Sequence, residues 1–306
     1  MKASIIILSY NNVEKIHNAL ESCFSQTYRD FEIIVRDDGS KNFDIANVKK
    51  EFKNCPQRIS YQIIHDENNL GTVKNFNKAI KASVGDVIIP LACDDQFASS
   101  ISVEKIIDEF KNNPEAACIT SREKHVELDG SSSILPSPME EKIVRYGDSR
   151  LLYFSISAFP CYVVGSSTAY RRTILEKYNY FDIDYRLLED WPFYLKLLEN
   201  GEKISFLPAV TIIHNAGGVS TPKGKYRNLL LVNDDIRCIS YVINQKKVPL
   251  TRVMLRLLKC RNEILRCEKE HKKLEKPNYI KYFDALVLRW IRGKIRKISI
   301  IFDNRE

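Results

Sequence analysis

Short apolar runs alternate with stretches of helical periodicity along the first part of the chain. The apolar runs, which indicate strands, lie at 4–9, 31–35, 61–64, 87–91 and 116–120. Apolar residues at helical spacing fill the intervals and predict helices over 16–24, 45–52, 73–80 and 101–110. Strands that alternate with helices form βαβ units, so the pattern predicts an α/β fold of the Rossmann-like kind, with a mainly parallel sheet and flanking helices. In such sheets ligands bind beyond the carboxyl ends of the strands.

The second half has a less regular pattern. Residues 129–150, rich in serine with Gly130 and two prolines, indicate a loop. Residues 158–170 are expected to be extended and residues 191–198 helical. No glycine occurs between 225 and 292, which favours a helical region there.

Charge divides the chain unevenly. The formal net charge is +8, but residues 246–306 alone carry 18 basic and 7 acidic residues, which leaves the remainder slightly acidic. This asymmetry indicates two parts with different tasks. We predict that residues 1–222 form the domain built on the sheet and that residues 223–306 form a basic helical C-terminal region.

Some classes of protein are not expected. No run of about 18 apolar residues occurs, so no transmembrane helix is predicted. The apolar stretch 5–8 is short for a signal peptide and indicates a first buried strand in a cytoplasmic protein. The eight cysteines are scattered without a Cys-x-x-Cys pair, which argues against a disulfide framework or a zinc site.

Three predicted strands end in polar residues. The first is followed by Ser-Tyr-Asn-Asn at 9–12, the second by Arg-Asp-Asp-Gly-Ser at 36–40, and the strand at 87–91 by Asp94 and Asp95. Taken singly, Asp38-Gly39 is a common turn pair, and Asp94 could cap the next helix. The carboxyl ends of strands in a parallel sheet, here called strand exits, lie along one edge, so we interpret these three segments together as one binding site.

Five blocks along the chain resemble family 2 glycosyltransferases. They are SIIILSYNN, FEIIVRDDGS, NNLGTVKNFNKAI, GDVIIPLACDDQF and LLEDW, in the order and spacing of that family. The resemblance covers residues 3 to about 222. It implies a GT-A fold, inverting transfer, a nucleotide-sugar donor, which we expect to be a UDP-sugar, and a divalent cation, Mn²⁺ or Mg²⁺.

Adjacent acids at a strand exit suit a nucleotide diphosphate. A divalent cation that bridges the phosphates stabilises the charge of the leaving group, and hard cations bind carboxylate oxygens. Neighbouring side chains along a strand point in opposite directions. Asp95 is therefore expected to bind the cation and Asp94 the ribose hydroxyls. Many family members carry a further acid where this chain has Ala92.

The resemblance implies further contacts with the donor. They are expected at Ser9, Tyr10, Asn11, Asp38, Gly71 and Lys74. Asp38 and the chain near Ser9 would bind the base, Gly71 would permit close approach of the backbone, and Lys74 would reach the base or a phosphate. An ordinary helix start with an exposed lysine is the alternative for the last two residues.

Inverting transfer needs a general base that deprotonates the attacking hydroxyl. The resemblance places this base at Asp190, beside Trp191, which would offer a stacking face for a sugar. Alternatively, Glu189 and Asp190 only form the acidic first turn of the following helix. The resemblance also implies that His214 completes the metal site, although a histidine after a strand can be purely structural.

Two features toward the C-terminus suggest motion and membrane contact. Gly217-Gly218 predicts a segment that closes over the donor. In residues 282–302 apolar side chains recur at helical spacing, and the basic ones lie mostly on the other face: Arg289, Arg292, Lys294, Arg296 and Lys297. Such a helix, with Trp290, fits an in-plane membrane anchor. The alternative is a helix packed on the catalytic domain with a solvated basic face.

These observations predict a cytoplasmic glycosyltransferase that is peripheral at the inner face of the cell membrane. It would move a hexosyl or N-acetylhexosaminyl group to a saccharide acceptor, lipid-linked, in bacterial surface polysaccharide synthesis. No nucleic-acid partner is expected, because the body is acidic and no such motif occurs. The alternatives are a nucleotidyltransferase, which would carry a glycine-rich loop after the first strand, and a non-catalytic nucleotide-sugar-binding or scaffold protein.

Overall fold

The structure, a computed structural model, describes residues 1–53, 55, 59–218, 221, 227–301 and 303. Its strands are β1 (Ala3–Ser9), β2 (Phe31–Asp37), β3 (Ser60–His65), β4 (Val87–Ala92), β5 (Gln96–Phe97), β6 (Ala116–Val126), β7 (Ser132–Leu135), β8 (Thr168–Arg171) and β9 (Lys203–Asn215). Its helices are α1 (Ile16–Phe24), α2 (Ile45–Lys53), α3 (Thr72–Ala82), α4 (Ser102–Asn112), α5 (Pro138–Tyr146), α6 (Ser149–Ala158), α7 (Arg172–Lys177), α8 (Asp190–Glu199), α9 (Leu229–Asn244), α10 (Arg252–Lys269), α11 (Lys276–Lys281) and α12 (Phe283–Ile301). Turns of 3-10 helix lie at Val13–Lys15 and Gly165–Ser167.

Within the described residues, nine strands form one sheet in the order β3-β2-β1-β4-β8-β6-β9-β5, with β7 paired to β6. The strands β3, β2, β1 and β4 are parallel, and so are β6 and β9. The strand β8 runs antiparallel to both of its neighbours. The prediction of an α/β fold with a mainly parallel sheet and flanking helices is therefore confirmed.

The register of the parallel strands brings their polar exits together. Ser9 pairs with Asp37 across β1 and β2, and Leu8 pairs with Ala92 across β1 and β4. Almost every residue of β1 and β2 is buried, as expected for strands that helices cover on both faces. The segments that follow β1, β2 and β4 consequently lie along one edge of the sheet.

The segment 129–150 is not a loop throughout, contrary to the prediction. The strand β7 pairs antiparallel with the end of β6, and α5 begins within this segment. Ser137 and Glu140 form a capping box with Pro138 in the first turn, a sequence signal for a helix start that the serine-rich composition obscured. The predicted extended segment 158–170 is a strand only from Thr168 onward.

The helices α9 and α10 share the core of the sheet. Cys238 and Ile239 of α9 and Leu258 of α10 are fully buried in the same hydrophobic cluster as Ile6 of β1 and Trp191 of α8. These helices therefore cover one side of the sheet rather than extending away from it. The predicted boundary at residue 222 lies outside the described residues, and the division there stays a prediction.

The helix α12 turns its arginines toward the protein. Arg289 donates to a backbone carbonyl of α6 at 2.7 Å, and Arg292 and Arg296 donate to the buried carboxylate of Glu140 at 3.3 and 3.1 Å. Trp290, in contrast, is 64% exposed. The alternative of a packed helix with a solvated basic face is wrong for these arginines, because the buried Glu140 carboxylate and a backbone carbonyl accept their hydrogen bonds. Among the described residues, no helix combines the length and the apolar character needed to cross a bilayer.

Candidate active site

The exit of β2 holds the loop that follows β3. Both carboxylate oxygens of Asp38 accept hydrogen bonds from this loop, from the amides of Leu70 and Gly71 at 2.8 and 2.9 Å and from the Asn69 side chain at 3.0 Å. The Asp38 amide donates to the Ser9 carbonyl at 2.9 Å. Burial raises the pKa of Asp38, and the two amide hydrogen bonds oppose that rise. Asp38 thus fixes the loop at the sheet edge where the donor base is expected.

Asp37, which sequence reasoning did not single out, ties β1 to β2. Its fully buried carboxylate accepts from the Ser40 amide at 2.8 Å, and the His65 Nδ1 lies 2.8 Å from it. The Ser40 hydroxyl accepts in turn from the Asn11 amide at 2.7 Å. Asn11 has a φ of 54°, which turns the chain sharply after β1 and leaves Tyr10 exposed at the rim.

The adjacent carboxylates of Asp94 and Asp95 diverge. The Oδ2 of Asp94 lies 3.5 Å from Lys15 Nζ, beside the start of α1. Asp95 is fully buried, with its oxygens 2.8 Å from His214 Nδ1 and 3.0 Å from the Asn215 amide that donates to it. One acid therefore faces the β1 side of the cleft and the other faces β9.

Asp95 and His214 form the pair that the sequence analysis assigned to the cation. Burial raises the pKa of Asp95, and the hydrogen bond with His214 opposes that rise. Burial lowers the pKa of His214, but the hydrogen bond and charge of Asp95 raise it to about 9 overall. Across the described part of the chain, no three His, Cys, Asp or Glu side chains are grouped as a metal site. Two protein ligands nevertheless fit Mn²⁺ or Mg²⁺ when donor phosphates supply the others.

Asp190 is the first residue of α8 and is partly exposed. Its Oδ1 accepts from the Trp191 amide at 2.6 Å. Burial raises the pKa of Asp190, and it raises that of Glu189 further because Glu189 also lies beside the Asp190 charge. A general base works best when its pKa approaches the working pH, so the environment of Asp190 suits proton abstraction.

The turn at Gly165 lies directly against the Asp190 carboxylate. A Cβ at Gly165 would be 2.5 Å from the Oδ2 of Asp190, closer than any side chain tolerates. Only glycine leaves room for the carboxylate at this position. The sequence carried no local signal for this contact, because the two residues belong to different elements and meet only in the folded chain.

Glu123 and His125 of β6 connect this turn with the metal pair. Next to the turn glycine, the Ser166 hydroxyl donates to the buried Glu123 carboxylate. The other Glu123 oxygen lies 3.5 Å from His125 Nδ1, and the His125 ring centroid is 5.0 Å from that of His214. His125 and His214 are register partners across β6 and β9. The structure thereby joins the surroundings of Asp190 to the metal pair in one continuous path of contacts.

Trp191 does not offer a stacking face for a sugar. It is 1% exposed, and the Arg261 guanidinium of α10 lies 4.2 Å from its ring. The prediction for Trp191 was wrong, because α10 covers the ring from the side on which a ligand would stack. Trp191 instead anchors the start of α8 in the core.

The predictions for Gly71, Lys74 and the Gly217-Gly218 pair have different outcomes. Gly71 does permit a close approach, but by the protein itself: at φ 88°, a Cβ there would lie 2.6 Å from Arg186 Cγ. Lys74 is exposed on the first turn of α3, where a ligand can reach it. The segment after Gly217-Gly218, predicted to close over the donor, runs into residues outside the described ranges, and its closure stays a prediction.

A sheet of this order, with polar residues at the carboxyl ends of its parallel strands, matches the GT-A fold. A profile of the family described as Glycosyl transferase family 2 matches residues 4–179, more than half of the chain. The chain belongs to this family and is a glycosyltransferase, so the nucleotidyltransferase and scaffold alternatives are set aside. Asp190 and His214 lie beyond the matched residues, and their roles stay predictions.

Individual relatives agree with this assignment. The uncharacterized glycosyltransferase YwdF of Bacillus subtilis (strain 168) is 28% identical over 218 residues, which cover 70% of this chain and 74% of YwdF. The structure of S. aureus TarS 1–349 superposes with a TM-score of 0.63 at 18% identity, covering 94% of this chain and 79% of that one. TarS 1–349 is also solved in complex with UDP-GlcNAc.

A second structural neighbour carries a different donor. The mannosyltransferase PcManGT from Pyrobaculum calidifontis, in complex with GDP-Man and Mn²⁺, superposes with a TM-score of 0.62 at 16% identity. The superposition covers 94% of this chain and 74% of PcManGT. At such low identities these structures establish the fold alone.

Proposed function

We propose that this glycosyltransferase moves a sugar, with inversion, from a UDP-sugar to a hydroxyl group of a saccharide acceptor. The observation that carries the proposal is the path of contacts from the Asp95–His214 pair to the turn against Asp190. It joins residues suited to the phosphate side of a donor with a carboxylate suited to deprotonate an acceptor. Inverting transfer requires these two functions on opposite faces of the anomeric carbon of one sugar.

The donor would lie across the exits of β1, β2 and β4. The loop that Asp38 holds, together with the exposed Tyr10 and Lys74, would enclose the base, and Asp94 would bind the ribose. The complex of TarS with UDP-GlcNAc supports a uridine nucleotide, and both neighbours support a hexosyl or N-acetylhexosaminyl group.

Asp95 and His214 would hold Mn²⁺ or Mg²⁺. The cation supplies Lewis-acid stabilisation of the diphosphate leaving group. The Asn215 amide, which donates to Asp95 at 3.0 Å, orients the carboxylate for this task. The Mn²⁺ in the PcManGT complex supports the choice of a divalent cation.

Asp190 would take the proton of the acceptor hydroxyl as its oxygen attacks the anomeric carbon. A bond forms between these two atoms while the bond from the anomeric carbon to the diphosphate oxygen breaks. The nucleoside diphosphate leaves with that electron pair, and attack from the opposite face inverts the anomeric configuration. Burial and the neighbouring Asp190 charge raise the pKa of Glu189, which favours its neutral form and reduces the charge beside the base.

The test compares Asp190→Asn with the wild type on a panel of nucleotide sugars and saccharide acceptors. We expect the variant to bind the donor normally by calorimetry while transfer falls on the order of 10²- to 10⁴-fold. Asp184→Asn, which alters an exposed carboxylate in the preceding segment, is the matched control. Near-native turnover in Asp190→Asn, or a product that retains the anomeric configuration by NMR, contradicts the proposal.

We further propose a lipid-linked acceptor and peripheral contact with the inner face of the cell membrane, in bacterial surface polysaccharide synthesis. The contact would use the outward face of α12, defined by its exposed apolar residues Phe283, Val287, Leu288, Trp290, Ile291, Ile295 and Ile298. Lys294 and Lys297 are exposed beside this face, whereas the arginines bind the protein. An apolar face with tryptophan and flanking lysines suits burial at the headgroup boundary, where each lysine adds about 1 kcal/mol.

Co-sedimentation with vesicles tests the membrane contact. We expect wild-type protein to bind anionic vesicles and Trp290→Glu to bind them much less, because burial of the new charge is unfavourable. Val84→Glu places the same charge on an exposed apolar residue in the turn between α3 and β4 and should bind like the wild type. Wild-type protein that stays in the supernatant with anionic vesicles refutes the membrane contact and leaves the transfer reaction untouched.

A further inference from the structure

A carboxylate of α9 holds the segment that leads to Asp190. The Oδ2 of Asp234 accepts from three successive backbone amides, those of Arg186 at 2.9 Å, Leu187 at 2.7 Å and Leu188 at 3.2 Å. Asp234 is 6% exposed, so its carboxylate has little access to water. Consecutive amides that converge on one anion form a nest, and the charge strengthens each hydrogen bond. The backbone immediately before the base is thereby fixed to α9.

The same segment is bonded to the donor loop through Arg186. Its Nη2 donates to the Asn69 side chain at 2.7 Å, and its carbonyl accepts from the Val73 amide in the first turn of α3 at 3.2 Å. Asn69 donates to Asp38 at 3.0 Å. Gly71 gives Arg186 the room that a Cβ would occupy. The segment that leads to the proposed general base, Asp190, therefore also supports the loop that is expected to enclose the nucleotide base of the donor.

We propose that Asp234 is a positioning residue, which keeps the general base and the donor loop in a fixed relation to each other. It acts through the amides of 186–188 and through Arg186, and it contacts neither Asp190 nor Asp38 itself. The inference rests on the proposed function, since it takes Asp190 as the base and Asp38 as part of the donor site. It assigns a part in transfer to a helix that lies beyond the residues matched by the family profile.

Removal of the Asp234 carboxylate would leave three part-buried backbone amides without their acceptor. Unsatisfied buried groups are unfavourable, so the segment would shift to find other partners. A displacement of about 1 Å from the reacting geometry can lower a rate on the order of 10²-fold. Because the segment also holds Asn69, donor binding should weaken together with turnover.

The test compares Asp234→Ala and Asp234→Asn with the control Asp184→Ala. Asp184 pairs with Arg237 of the same helix at 3.1 Å, but its exposed carboxylate does not hold the amides of 186–188, so the control removes only an ion pair with α9. We expect Asp234→Ala to lower kcat on the order of 10²-fold and to raise the donor KM as well. Asp234→Asn retains an oxygen acceptor and should recover most of the loss, while Asp184→Ala should match the wild type.

Kinetics are measured well below the melting temperature of the least stable variant, with the folded fraction determined by circular dichroism. Wild-type kcat and donor KM in folded Asp234→Ala overturn the inference. Losses that only follow the folded fraction, equally in the Ala and Asn variants, show a role in stability alone and overturn it too.

Arg186→Met provides a second test if Asp234→Ala does not fold. This variant removes the side-chain bond to Asn69 and leaves the backbone amides of 186–188 in place. We expect a higher donor KM with a smaller change in kcat, and an unchanged donor KM overturns the inference. Failure of the proposed function is distinguishable, because Asp190→Asn would then remain active whatever the Asp234 variants do.

Discussion

The two halves of the sheet contribute to the site in different ways. In the parallel half, β3-β2-β1-β4, functional side chains follow directly on buried strands, as Asp38 follows β2. In the mixed half, β8-β6-β9-β5, functional side chains meet across long distances in the chain. Glu123 meets Ser166, and Gly165 meets Asp190. The candidate donor side is thus a local consequence of the strand pattern, whereas the candidate acceptor side depends on how distant segments pack.

This difference has a functional consequence that can be measured. Substitutions in the parallel half should change donor binding, and substitutions in the mixed half should change turnover at constant donor affinity. The Asp95–His214 pair lies at the junction of the two halves and should affect both.

Asp95→Ala is expected to have the largest effect, because it removes one of two side chains that would hold the cation. We expect metal-dependent binding of UDP to be abolished, measured by calorimetry with and without Mn²⁺. Asp86→Ala, at the opposite end of β4, removes an exposed carboxylate and should bind UDP and Mn²⁺ like the wild type. An unchanged, metal-dependent affinity in Asp95→Ala would show that the cation binds elsewhere.

Gly165→Ala should affect turnover alone. Its Cβ would lie 2.5 Å from the Asp190 Oδ2 and must displace the carboxylate. We expect kcat to fall on the order of 10²-fold with unchanged donor affinity. Gly293→Ala, where a Cβ meets no atom within 4 Å, is the matched control and should leave kcat unchanged. Equal kcat values in the two variants would show that Asp190 takes no part in the reaction.

The pH dependence of kcat should report the environment of Asp190. The base acts as a carboxylate, and its pKa is raised by burial, so activity is lost as the pH falls through this raised pKa. The decline should begin above the pH expected for an ordinary aspartate, whose pKa is about 3.9, and should reach about tenfold per pH unit. The measurement is kcat at saturating substrates, with circular dichroism as the control for unfolding. A kcat independent of pH down to about pH 4.5, with the fold intact, would contradict this assignment.

Glu140→Gln tests how firmly α12 is attached to the rest of the molecule, with the smallest expected effect on activity. The change leaves Arg292, whose side chain is 14% exposed, without its anionic partner. We expect a loss of about 1–3 kcal/mol in the free energy of unfolding, measured with urea. Asp284→Asn breaks the exposed pair that this α12 residue forms with Arg256 of α10 and should cost much less. Equal stabilities of the two variants would mean that α12 is held by its apolar contacts alone.

Much of the donor side was predictable from the sequence, because its determinants are local. The alternation of apolar runs and helical periodicity indicated β1, β2 and β4, and their exits indicated the 9–12, 36–40 and 94–95 segments. Asp37 was missed, although it stands beside Asp38, because both acids are buried and the sequence does not show which side chains each of them meets. Its partners Ser40 and His65 identify it only in the folded chain.

The sequence by itself determined the order of the elements, the edge at which polar residues gather, and the family. These follow from side-chain periodicity and turn chemistry, which act between neighbours in the chain. Only the tertiary structure decided that Gly165 faces Asp190, that Asp234 holds 186–188, and that α12 turns its arginines inward. The register of β6 against β9 shifts near Arg122, and such shifts determine which side chains share a face. An amphipathic helix likewise presents two faces, and the face that carries Arg292 and Arg296 bonds to the buried Glu140.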